Sequence, residues 1–211
     1  MEINIGLIDY GMGNLHSVEQ FFKRRNQTLK RVKGPEDLNH CNALILPGVG
    51  SFDPAMINLK QTNLIPSLKE WALDQKPLLG ICLGLQLMFE SSEEGDERGL
   101  GLIKGEVKSL PITKENHIPH MGWAPLRQQK ECPMLDTENM NQWMYFVHSY
   151  SAIPNEVNDI AATVDFGEEN ITAVIWKDNL AACQFHPEKS GKSGEILLSK
   201  WVEWLKKSQL D

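Results

Sequence analysis

Pro77-Leu78-Leu79-Gly80-Ile81-Cys82-Leu83-Gly84-Leu85-Gln86-Leu87-Met88-Phe89-Glu90 reads as a buried strand that turns through Gly-x-Cys-x-Gly into a helix. The residue at the tip of such a turn is held in strained backbone, and its neighbours two positions away on either side must lack side chains. This is the pattern of a nucleophile elbow, with the sulfur of Cys82 presented at a helix N-terminus. A free thiol of pKa near ~8.5 is only about 3% thiolate at neutral pH, and a helix dipole with a neighbouring cationic histidine raises that fraction. The plain alternative, a small buried apolar cysteine, does not account for two glycines at a strand-to-helix junction.

A cysteine nucleophile needs a base and a group to orient the base. Both stand about a hundred residues later in Cys183-Gln184-Phe185-His186-Pro187-Glu188. Pro187 biases His186 away from helix, and in extended backbone residues two apart share a face, so the spacing predicts Glu188 beside the His186 imidazole. With the elbow, these residues form a Cys-His-Glu triad candidate: Cys82 as nucleophile, His186 as base and then acid, Glu188 as orienter.

The chain has 211 residues, 41% of them hydrophobic, which is enough for one well-packed core, and no composition shift marks a second domain; one domain over 1–211 is expected. A formal net charge of -7 argues against a nucleic-acid footprint, because the basic clusters Lys23-Arg24-Arg25 and Lys206-Lys207 are short and read as polar helix ends. No apolar run approaches the ~20 residues of a membrane helix and no signal-peptide pattern opens the chain, so a cytoplasmic protein without membrane contact is expected. Cys41, Cys82, Cys132 and Cys183 show no Cys-x-x-Cys spacing, which removes the common zinc and redox patterns and fits a reducing compartment.

Around the elbow the chain alternates strand, glycine turn and helix. Ile3 to Ile8 leads through Asp9-Tyr10-Gly11-Met12-Gly13-Asn14 into a helix with Leu15, Val18, Phe21 and Phe22 at helical spacing; Ala43 to Leu46 leads through Pro47-Gly48-Val49-Gly50-Ser51-Phe52 into a second. A further helix covers about Ile65 to Trp71 ahead of the elbow. This order implies right-handed parallel βαβ units. From Gly99 to about Trp176 the pieces become short and strand-like, among them 105–110, 145–150 and 171–176, and imply an antiparallel or mixed section. Leu180 to Phe185 reads as the strand delivering His186 and Glu188, and Gly194 to Lys207 as a closing helix with Ile196, Leu197, Trp201 and Leu205 inward. The fold class is therefore α/β, a mostly parallel open sheet with flanking helices. Ligands bind such sheets beyond the carboxyl ends of the strands, where the elbow and both glycine turns fall. The Gly11-x-Gly13 turn has His16 at the third glycine position of a dinucleotide fingerprint, so that reading fails.

Gly-Ile-Cys82-Leu-Gly-Leu-Gln with His186-Pro187-Glu188 resembles the class I, or triad, glutamine amidotransferases over nearly the whole chain. More narrowly, the segments at 9–14, 46–52, 89–95, 99–103, 119–123, 145–150 and 184–191 are similar to glutaminase subunits of imidazole glycerol phosphate synthases. The resemblance implies a flavodoxin-like sheet and hydrolysis of glutamine through a cysteine thioester. It also implies ammonia channelled to a (βα)8-barrel cyclase or synthase partner in a heterodimer of histidine biosynthesis, with no cofactor and no metal. It places an oxyanion hole at the N–H groups of Leu83 and Val49, the latter reached by a peptide flip that Gly48 and Gly50 ease. It gives Gly50, Gln86, Glu94, Ser149 and Tyr150 to the substrate and Asn14, Trp123 and Lys189 to the partner. The family usually continues Pro-His-Met-Gly-Trp with Asn, where this chain has Ala124. That departure keeps a second partner open, a sugar amidotransferase of surface polysaccharide synthesis. A stand-alone Cys-His-Glu hydrolase and a catalytically silent subunit are the further alternatives, opposed by the glutamine-clamp residues and by the complete triad.

Overall fold

A computed structural model of the chain describes residues 3–112, 117–136 and 142–208. Its strands, in chain order, are β1 (Ile5–Ile8), β2 (Leu29–Val32), β3 (Ala43–Gly48), β4 (Leu78–Cys82), β5 (Ser91–Ser92), β6 (Gly105–Ser109), β7 (His120–Pro125), β8 (Arg127–Gln128), β9 (Trp143–His148), β10 (Tyr150–Pro154), β11 (Ile160–Phe166), β12 (Glu169–Lys177) and β13 (Leu180–Cys183). The helices are α1 (Leu15–Lys23), α2 (Phe52–Gln61), α3 (Leu64–Leu73), α4 (Leu83–Leu87) and α5 (Gly191–Ser208). The main sheet runs β2-β1-β3-β4-β13-β12-β11-β8. The first five strands of that order are parallel, and β12, β11 and β8 continue it antiparallel, so the expected α/β class with an antiparallel section holds. Two small sheets, β10-β6-β5 and β7-β9, lie outside it.

The main sheet is buried on both faces, which explains why its central strands are continuous apolar runs. Period-two alternation sorts their side chains: Ile5, Leu7, Ile45, Leu79 and Ile81 pack on one face with Phe22 of α1 and Trp201 of α5. Ile8, Leu44, Leu46 and Leu78 pack on the other with Phe52, Leu68 and Leu85 of α2, α3 and α4. Each such large side chain contributes roughly 1.5–3 kcal/mol when fully buried. The helix ends follow local chemistry. Asn14 caps α1 by accepting from the Ser17 N–H at 3.3 Å, and α5 ends in Lys206 and Lys207 against its dipole.

Four expectations change. Residues 145–150 are not one strand: β9 ends at His148, Ser149 is the break, and β10 belongs to a different sheet. In α5, which starts three residues earlier than expected, the inward residues include Leu198, while Ile196 is half-buried, because 194, 197, 198, 201 and 205 share one helical stripe and 196 lies beside it. Pro187–Lys189 forms a 3-10 turn, so extended alternation is not what aligns Glu188 with His186. Gly48 belongs to β3, and a Cβ there would meet Gly84 N, Leu83 Cβ and Tyr10 Oη at 2.8 Å, so it is a packing glycine and not a flexible one.

Candidate active site

The elbow is formed as the sequence implies. Cys82 ends β4 and precedes α4 with φ 55° and ψ -112°, a conformation a non-glycine residue holds at a cost of about 1–3 kcal/mol. What the flanking glycines supply is room. A Cβ on Gly84 would run into the carbonyl of Leu46 on β3, and one on Gly80 would meet the Met88 sulfur at 2.7 Å. Helix α4 thus lies directly on β3 and β4, and Cys82, 7% exposed, opens into a cavity of about 300 Å³. That size is at the small end of ligand pockets.

The same cavity is lined by Val49, Gly50, Leu83, Gln86, Glu94, His148, Ser149, Tyr150 and His186. Strand β13 lies beside β4 in parallel register, with Cys183 opposite Ile81, which brings the turn after β13 to the elbow. His186 Nδ1 lies 2.8 Å from Glu188 Oε1, and both side chains are buried. Burial opposes protonation of His186, but its hydrogen bonds to Cys82 and Glu188 and the charges of both outweigh that and hold its pKa up at about 10. The other Glu188 oxygen, Oε2, is buried without a hydrogen-bond partner among the described residues.

The turn is clamped from β9. The His186 N–H donates to the Tyr145 carbonyl at 3.0 Å, the Tyr145 N–H donates to Ser190 Oγ at 2.9 Å, and that hydroxyl donates to the His186 carbonyl at 2.7 Å. Tyr145 also touches Trp123, ring centroids 5.9 Å apart. Trp123 is 52% exposed and Met121 on the same strand 62%, so an apolar surface begins one residue from the clamp. Lys189 is exposed on the clamped turn, and Asn14 is half-buried at the start of α1, which packs against that turn.

On the Pro47 to Gly50 side, Gly50 has φ 98°, and the Tyr10 hydroxyl donates to the Pro47 carbonyl at 2.8 Å. Burial, with the Cys82 charge, pushes the Tyr10 phenol above its ordinary pKa, so it stays a donor. Glu94 Oε2 accepts from the Phe52 N–H at the start of α2, 2.9 Å away, which fixes the carboxylate at the cavity wall. The Ser149 carbonyl accepts from the Leu110 N–H at 2.9 Å, so the trans peptide turns the Tyr150 N–H the opposite way. The Tyr150 carbonyl accepts from Gln86 Nε2 at 3.3 Å and from His148 Nδ1 at 2.8 Å.

Three residues of this shell were not singled out from sequence. Tyr10 sat in a recognised turn, but its hydroxyl reaches a carbonyl 37 residues away. His148 counted only as one residue of the strand-like piece 145–150. Burial, with the charges of His120 and His186, lowers its pKa to about 4 against the bond to Tyr150, so it is neutral. Gln184, wholly buried, was hidden in an apolar strand reading. Among the described residues no group of three or more His, Cys, Asp or Glu could hold a metal ion, and no helix is long and apolar enough to cross a membrane. A larger hollow of about 480 Å³ around Leu73, Arg98 and Leu180 lies at the opposite end of β4 and β13 and contains no part of this arrangement.

The family model for glutamine amidotransferase class-I matches residues 6–203. An imidazole glycerol phosphate synthase subunit HisH from Prochlorococcus marinus is 70% identical over 211 residues, covering 100% of this chain and 99% of that protein. A subunit of the same name from a Synechococcus species is 53% identical, covering 98% of this chain and 97% of the other. Among solved structures, PurLQS from Thermotoga maritima aligns with a TM-score of 0.76 at 16% identity, over 97% of this chain and 100% of that one, which is a likeness of fold. The chain belongs to the class-I glutamine amidotransferase family, together with the HisH subunits of imidazole glycerol phosphate synthase.

Proposed function

We propose that this chain is the glutaminase subunit of an imidazole glycerol phosphate synthase, with Cys82 as nucleophile, His186 as acid and base, and Glu188 as the group that orients His186. The observation that carries the reading is the buried His186–Glu188 pair, 2.8 Å apart, whose His186 lines one small cavity with a strained cysteine at a helix start. The Cys82 thiolate attacks the carboxamide carbon of glutamine, and the oxyanion meets the N–H groups of Leu83 and, after rotation of the Gly48–Val49 peptide, Val49. Collapse breaks the C–N bond, the His186 imidazolium gives its proton to the leaving nitrogen, and ammonia departs from a thioester. His186 then takes a proton from water, whose oxygen attacks the thioester; glutamate leaves and the thiolate returns. Glu94, with one oxygen held by α2, presents the other to the substrate ammonium, and the Ser149-Tyr150 backbone faces its carboxylate.

Ammonia passes to a synthase partner docked over Trp123, Lys189 and Asn14. The exposed aromatic surface joined to the His186 clamp supports this, as does the word subunit in the names of the relatives. Those relatives favour the histidine pathway over a sugar-amidinating partner, Ala124 notwithstanding. In the complex, Cys82→Ala abolishes synthesis with glutamine while ammonium salts still support it. Equal loss with both nitrogen sources refutes the reading.

A further inference from the structure

Gln184 follows β13 and is wholly buried, yet it carries both a donor and an acceptor. Its Oε1 lies 3.1 Å from Gln86 Nε2, and its Nε2 lies 4.0 Å from the Cys82 sulfur. Which end of each amide faces which neighbour follows from the Tyr150 carbonyl. A carbonyl only accepts, so the Gln86 atom beside it must be the NH2. That group has two hydrogens. One goes to Tyr150 and the other to Gln184, whose facing atom must then be its oxygen. The Gln184 NH2 is left pointing at the sulfur. The same carbonyl fixes His148, whose Nδ1 must donate to it while Nε2 accepts from His120 Nδ1 at 3.1 Å.

We infer that Gln184 is a positioning residue with two tasks: its N–H faces and supports the Cys82 thiolate, and its carbonyl locks the Gln86 amide so that only the Gln86 oxygen faces the cavity. The inference rests on the glutaminase reading of this cavity. It assigns Gln86 a single polarity toward substrate: an acceptor for the N–H groups of glutamine, with no donor left for its carboxylate. An apolar residue at 184 would leave a Gln86 hydrogen unsatisfied in a buried site and free the amide to rotate.

Two variants separate the tasks. In Gln184→Glu one carboxylate oxygen still accepts from Gln86 while the other turns like charge on the sulfur. Gln184→Met removes both contacts at similar volume. Iodoacetamide labelling of Cys82, assigned by peptide mass and followed at pH 7 and 9, reads the thiolate whether or not the residue turns over glutamine. Steady-state kinetics in the synthase complex read the clamp. The glutamate variant labels at least about ten-fold more slowly at pH 9 and keeps its KM for glutamine within about two-fold. The methionine variant labels about two- to three-fold more slowly and raises KM about five-fold or more. Labelling of the glutamate variant at the wild-type rate overturns the Gln184–Cys82 contact, and an unchanged KM in the methionine variant overturns the Gln86 lock. Failure of the glutaminase reading itself would show separately, as glutaminase activity surviving in Cys82→Ala.

Discussion

Gly48→Ala tests whether the elbow is set by contact between α4 and β3. The added Cβ would lie 2.8 Å from Gly84 N, Leu83 Cβ and Tyr10 Oη, whereas ordinary contact begins at 3.4 Å, a deficit of about 0.6 Å against three atoms at once. Two of the three belong to the start of α4 and cannot rotate away. The third holds the Pro47 carbonyl. To relieve all three, α4 moves off β3 by roughly the deficit and the Tyr10 hydroxyl swings out, leaving that carbonyl without its donor. Overpacking of this kind costs about 1–3 kcal/mol, and loss of the Tyr10 bond adds about 1 kcal/mol. Because α4 carries the Leu83 N–H and follows Cys82 directly, the move also spoils the proposed oxyanion geometry, and a sub-ångström shift there lowers kcat with glutamine at least about ten-fold. Gly191→Ala is the control. It also fills a glycine position, at φ 54°, but meets nothing within 4 Å, so it costs only the backbone strain of about 1–2 kcal/mol and leaves kcat unchanged. Urea unfolding followed by tryptophan fluorescence, with glutaminase assays in the complex, measures both. A Gly48→Ala protein within about 0.5 kcal/mol of wild type and within two-fold in kcat would refute the packing argument.

His186→Ala lowers glutamine turnover more than Glu188→Gln, because the amide still accepts near Nδ1 while no group replaces the base; equal kcat values in both variants contradict the assigned roles. Stability falls on both sides of about pH 6.5. His148, with its folded pKa near 4, lets the unfolded chain bind an extra proton between about 6.5 and 4, costing up to about 3 kcal/mol in acid. The raised pKa of His186 gives stability that is complete below about 6.5 and is lost as pH climbs through about 10. Urea midpoints of His148→Gln that keep the full wild-type acid slope would show that His148 is not its source. Lys189→Ala, exposed on the clamped turn, weakens coupling, read as glutamate released in excess of synthase product; unaltered stoichiometry and partner affinity exclude Lys189 from the docking face.

The elbow was legible because everything that makes it lies within fourteen consecutive residues, and the glycine requirement is steric and local. The parallel order of β1, β3 and β4 followed from repeated strand–turn–helix units. Strand β2 was not foreseen, since Leu29-Lys30-Arg31-Val32 lies on the sheet edge and buries only its first and last residues. Pairing of Glu188 with His186 was expected, but through extended backbone; proline starts a 3-10 turn as readily as it prolongs a strand, and the sequence does not choose between them. Gln184 was unreadable for another reason. Nothing nearby in the chain accounts for a buried amide there, and its partners are Gln86, 98 residues away, and Cys82, 102 residues away. Tyr145 likewise looked like one more strand residue until its backbone was seen gripping the His186 turn.

The adjacency of β4 and β13 has a consequence for the newborn chain. The Cys82 sulfur is made about a hundred residues before the His186 imidazole, and pairing of Leu180–Cys183 with Leu78–Ile81 brings the two together. Contacts of such long sequence separation form late, after the loop between them has closed. While the polypeptide is still emerging from the ribosome, Cys82 has no imidazole beside it. On the glutaminase reading proposed above, half-made protein therefore does not attack glutamine, and the chemistry waits for β13 to dock beside β4.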